Sequence, residues 1–121
     1  MPRTSSSSAG ATYLNREERI AALRAAARRA VDRMPDVRRV VLFGSLARGI
    51  PTPRSDADLL VAVLSSPHPD PRDRVPEVLT AMRPLPCPLD LFVLTTAEIE
   101  ARRCEGDPLL REALAGGIDL L

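Results

Sequence analysis

Val40-Val41-Leu42-Phe43-Gly44-Ser45-Leu46-Ala47-Arg48-Gly49 is followed, after a short interval, by Ser55-Asp56-Ala57-Asp58-Leu59-Leu60-Val61. The first stretch continues a β-branched, apolar run from Val37, which predicts a strand ending at Gly44-Ser45. A short helix is expected to start there and stop at Gly49. The second stretch reads as a strand over residues 56–64. Its nearly continuous apolar run predicts a central strand covered on both faces. Pro88-Leu89-Asp90-Leu91-Phe92-Val93 opens a third strand with an acid set among apolar residues.

Outward from this centre the chain reads as helices. Asn15 and Glu18 resemble a capping box, and Ile20, Leu23, Ala27, Val31 and Met34 recur at helical spacing. Arg16, Arg24 and Arg28 occupy the other face, which reads as solvated. Val75, Val78, Leu79 and Met82 predict a second helix with Pro76 in its first turn. Thr95 and Glu98 make another capping box, for a helix reaching about Cys104. Asp107-Pro108 is an N-cap followed by proline, opening a last helix that Gly116-Gly117 closes. Residues 118–121 suit a short edge strand or a packed tail. Residues 1–12 are small and polar and read as a disordered tail, leaving one domain over residues 13–121. The fold class expected is α/β (α+β), a small mixed sheet packed against helices.

Composition narrows the chemistry. At 121 residues with net charge +1, there is room for one modest core and no global field to attract nucleic acid or an anionic membrane. All seventeen basic residues are Arg, so lysine chemistry is excluded and any phosphate clamp must use Arg or backbone N–H groups. The two cysteines, Cys87 and Cys104, lack a CxxC spacing, and His68 is the lone histidine. Zinc is therefore not expected, and free thiols suit a reducing, cytoplasmic setting. No apolar run approaches the ~20 residues of a membrane span.

Asp56 and Asp58, two residues apart on a strand, point to one side of the sheet. Two such carboxylates repel unless a cation lies between them, and hard oxygen ligands favour Mg²⁺ or Mn²⁺. If the Asp90 strand lies beside theirs, three carboxylates converge, enough for two metals about 3.5–4 Å apart. Gly44 lets a phosphate approach the backbone, Ser45 adds a hydroxyl, and Arg48 lies one helical turn on. The pattern predicts phosphoryl or nucleotidyl transfer, in which positioning and electrostatics provide most of the catalysis. Ser55 reads as a turn residue, and Arg54 and His68 as solvated. Tyr13, Phe43 and Phe92 are the chain's three aromatics, and all three read as packing residues.

The segments LFGSLARG, SDADLLV and LDLFV together resemble the DNA polymerase beta-type nucleotidyltransferase superfamily, and in particular its minimal nucleotidyltransferases, which are antitoxin-like. The resemblance spans roughly residues 37–93, and the stretch from Gly106 to Leu121 also looks like the family's C-terminal end. It implies a nucleotidyltransferase fold, with Gly44 and Ser45 holding the triphosphate of ATP or another nucleoside triphosphate. Asp56 and Asp58 would ligate both metals, and Asp90 would complete the nucleophile-side metal and help activate the attacking hydroxyl. It further implies AMP transfer to a helical HEPN-type toxin, and a hetero- or homodimer. The alternative is an antitoxin-like module that neutralises its partner by contact alone. Small-molecule nucleotidylation is disfavoured, because the chain lacks the additional acceptor-binding domain of larger relatives.

Overall fold

The computed structural model describes residues 7–50 and 56–121. Arg54, Ser55 and most of the expected loop after Ile50 lie outside the described residues, as do residues 1–6 of the expected tail. Among the described residues, five helices and four strands follow in chain order: α1 (Ser7–Arg33), β1 (Val37–Phe43), α2 (Gly44–Arg48), β2 (Ala57–Val63), α3 (Val75–Met82), β3 (Leu89–Thr95), α4 (Thr96–Cys104), α5 (Pro108–Gly116) and β4 (Ile118–Asp119). A 3-10 turn over Pro71–Arg74 leads into α3. The first helix starts at Ser7, upstream of Asn15. The added segment contains no proline to stop the helix, and Ala9, Ala11 and Leu14 are good helix formers.

The strands form one mixed sheet in the order β3-β2-β1-β4. β1 runs antiparallel to both β2 and β4, whereas β2 and β3 are parallel. β2 is therefore an inner strand, and six of its seven residues are buried. On one face, Val40, Leu42, Leu59, Val61, Leu91 and Val93 pack with Leu23, Ala26, Ala27 and Ala30 of α1 and with Val78, Ala81 and Met82 of α3. The three alanines are fully buried, and their small side chains let α1 lie close to the sheet. On the other face, Val41, Phe43, Leu60 and Leu94 pack with Leu110 and Ala113 of α5.

Arginines tie the elements together. Arg16 and Arg24 are not merely solvated: Arg16 donates to the carbonyls of Leu46 and Ala47 (3.0 and 2.8 Å), at the C-terminal end of α2. Arg24 reaches the Asp119 carbonyl at 2.8 Å. Arg29 and Arg33 donate to carbonyls of Met82, Pro84, Ala81 and Arg83 where α3 ends. A planar fork of donors suits groups of helix-end carbonyls that have no intrahelical partner. Two of the three expected caps are present; the third, Asn15 with Glu18, falls inside α1 and starts no helix. The Thr95 hydroxyl accepts from the Glu98 N–H, and the Glu98 carboxylate accepts from the Thr95 N–H. The Asp107 carboxylate accepts from the Leu109 N–H at 2.8 Å.

Candidate functional site

The site lies where β1 ends and β2 and β3 begin. Because β1 is antiparallel to β2, its C-terminus meets the start of β2. Phe43 pairs with Asp58, and Asp58 pairs with Asp90 across the parallel ladder. Paired residues on neighbouring strands share a face, so Phe43, Asp58 and Asp90 stand side by side, with strands about 4.8 Å apart. The shared face is the one that α5 partly covers. Asp56 immediately precedes β2, two residues before Asp58.

Gly44 follows Phe43 at the turn into α2, with φ of 79°. Two constraints demand glycine here. The left-handed backbone disfavours a side chain, and a Cβ would collide with the Asp58 carboxylate. Backbone and carboxylate are thus in direct apposition. Ser45 is half-buried in the first turn of α2. The helix ends at Gly49, also left-handed at φ 74°.

The site is rich in negative charge. The Asp58 carboxyl is held above its usual range. Burial is the chief cause, followed by the charges of Asp90, Glu112 and Asp56, and by a hydrogen bond with the Asp90 side chain. Glu112 of α5 went unnoticed in the sequence, where it reads as one exposed residue on an amphipathic helix. Its approach to Asp58 depends on how α5 lies over the sheet, which no local pattern encodes. Arg48 faces Glu112 at 3.8 Å, and both side chains are about half exposed.

Among the described residues, no group of three or more His, Cys, Asp or Glu side chains is gathered closely enough to hold a metal ion. The fold brings Asp58 and Asp90 together, but the threefold convergence expected with Asp56 is not preformed. The physical reason is repulsion: like carboxylates have no cause to crowd without a cation. The donor chemistry itself, hard carboxylate oxygens on adjacent strands, suits a divalent ion such as Mg²⁺.

Phe92 also departs from expectation. It is 38 % exposed, whereas Val41, Phe43, Leu60 and Leu94 on the same face are at most 4 % exposed. Its ring lies 5.7 Å from that of Phe43, tilted by 50°. His68 is exposed as expected. Cys87 and Cys104 are both free thiols. Among the described residues, no helix is long and apolar enough to cross a membrane.

Comparison with known proteins bears directly on this geometry. The family model described as "Nucleotidyltransferase domain" matches residues 24–106, well over half of the chain. The match takes in β1, the Gly44-Ser45 turn, β2, β3 and all three aspartates. No curated protein matches the chain.

Proposed function

The chain belongs to the nucleotidyltransferase domain family, and from that premise we propose that it transfers AMP from ATP to a hydroxyl on a partner protein. The partner we propose is a HEPN-type toxin that the transfer would neutralise. The observation that carries the reading is the alignment of Gly44, Asp58 and Asp90 across three adjacent strand ends. An acidic pair packed against a glycine turn is costly as a structural element, and useful to a cation and a phosphate together.

Asp56, Asp58 and Asp90 would hold Mg²⁺ or Mn²⁺. Such an ion supplies charge that offsets their repulsion and that of the triphosphate. Gly44 admits the phosphates against the backbone, and the Ser45 hydroxyl donates to them. Arg48 would exchange its weak contact with Glu112 for a charge-assisted bond to the same phosphates. The Asp90 carboxylate accepts the proton of the acceptor hydroxyl. That oxygen then bonds to the α-phosphorus, and the bond to pyrophosphate breaks.

The test uses radiolabelled ATP, Mg²⁺ and the protein encoded beside this one. Label should pass to the neighbour with the wild type and fall at least about a hundredfold in Asp56→Ala/Asp58→Ala. Full neutralisation of the neighbour by a folded double variant would sink the enzymatic reading and leave a contact-only antitoxin.

A further inference from the structure

An exposed aromatic ring on a functional face needs a reason. Phe92 follows Asp90 by two residues on β3, so both side chains lie on the same face of the sheet, about 7 Å apart along the strand. Its inner neighbours are closed over by α5, while Phe92 stays open. From behind it is supported by Phe43, itself buried and directly preceding Gly44. The rigid pair thus links the phosphate-side turn to an open ring beside the acidic pair. We infer that Phe92 is the platform on which the base of the donor nucleotide stacks.

The inference rests on the nucleotide-binding reading above. With the phosphates at Gly44-Ser45 and the α-phosphate over Asp58 and Asp90, the ribose spans the remaining distance to the ring. A phenyl ring offers a π-face and no hydrogen bonds, so it stacks any base and favours the larger purines. Among the described residues no other aromatic ring stands open on this face, since Phe43 is only 4 % exposed.

Two variants and two probes test this. The chain has no tryptophan, so Phe92→Trp introduces a single reporter at the platform. Its fluorescence should be quenched by ATP and unchanged by inorganic tripolyphosphate, both added with Mg²⁺. Phe92→Ala should weaken ATP binding by about 5- to 150-fold, the range of one lost base–aromatic stack. Its affinity for tripolyphosphate should stay as in the wild type, and ATP and GTP should lose more than CTP and UTP. Leu64→Ala removes another exposed apolar residue, just past the far end of β2, and should change neither probe.

The outcomes separate the two readings. If the wild type binds neither ATP nor tripolyphosphate, the nucleotide site itself is wrong, and the platform with it. If the wild type binds both, and Phe92→Ala leaves their ratio unchanged, the platform assignment alone is overturned. A loss of transfer with ATP affinity intact would move Phe92 to the acceptor side and equally overturn it.

Discussion

At the residue level, Asp58 is a carboxylate whose surroundings work against stability at neutral pH. Its carboxyl is raised above the value of 3.8 ordinary for an aspartate. The folded protein thus holds that proton more tightly than the unfolded chain does. The linkage has one sign: as pH rises from about 4 through the raised value, the folded state loses stability relative to the unfolded state. Asp58→Asn removes the ionisable carboxyl, and with it this loss. Without divalent cation at neutral pH, the variant should melt several degrees above the wild type, and the gap should vanish near pH 4. Saturating Mg²⁺ should raise the wild-type melting temperature and leave that of the variant nearly unchanged. Equal melting of the two proteins at neutral pH without Mg²⁺ would refute the assignment.

At this scale the sequence is legible where backbone chemistry is local and opaque where solvent exposure decides. Gly44 stood out because a strand that turns sharply needs it. Phe92 read as core because strand aromatics usually are. What leaves it open is its place on the edge strand β3 beyond the reach of α5, a tertiary fact. Arg16 and Arg24 read as surface because a guanidinium carries no mark of the carbonyl it will find.

At the element level, the junction of the 3-10 turn, β3 and α4 is closed by Arg74. Its guanidinium is buried and donates to the carbonyls of His68, Pro69 and Val93 and to both oxygens of Glu98. The bond to Val93 seals part of the outer edge of β3, where a free ladder would otherwise invite another strand. Glu98 serves twice, as the ion-pair partner and as the second half of the α4 capping box. The Arg74 guanidinium draws the Glu98 carboxyl down from 4.5 to about 2. A depressed carboxyl contributes stability above its unfolded value and loses it as pH falls from about 4.5 towards 2. Acid melts of the wild type should fall steeply through that window, and those of Glu98→Gln much less. Arg74→Met should cost about 2–3 kcal/mol in urea melts, below the figure for a fully buried pair because Glu98 is partly exposed. The Thr95–Glu98 capping box and the Asp107-Pro108 start are plain in the sequence, since each is a spacing rule within one turn, whereas the same spacing at Asn15–Glu18 marks no helix start. The role of Arg74 is not plain there, because its partners lie up to 24 residues away.

For the whole molecule, α1 is a brace. It covers one face of the sheet with alanines, and its arginines hold the ends of α2 and α3. Arginine is not replaceable by lysine where one fork meets two carbonyls. Arg29→Lys should therefore loosen the C-terminal end of α3, visible as faster amide exchange at Arg83 and its neighbours, while leaving exchange in β1 and β2 unchanged. The strand order was only partly legible. The alternation of strands and helices implied a mixed sheet with β2 inside. The reversal between β1 and β2 depends on the connection that begins with α2, and the parallel return of β3 on the route taken by residues 64–88; no periodicity records such a route.

That route sets the order in which the protein can come into being. β1 and β2 are close in sequence and can pair early, whereas β3 arrives only after a crossover that includes α3 has been laid down. Until then nothing holds Asp58 and Asp90 together, and their mutual repulsion is first felt as β3 docks beside β2. No form with β3 undocked can carry the paired acids, so their meeting marks the closing of that ladder. A cation drawn to that pair would recognise molecules in which β3 has docked and pass over the rest.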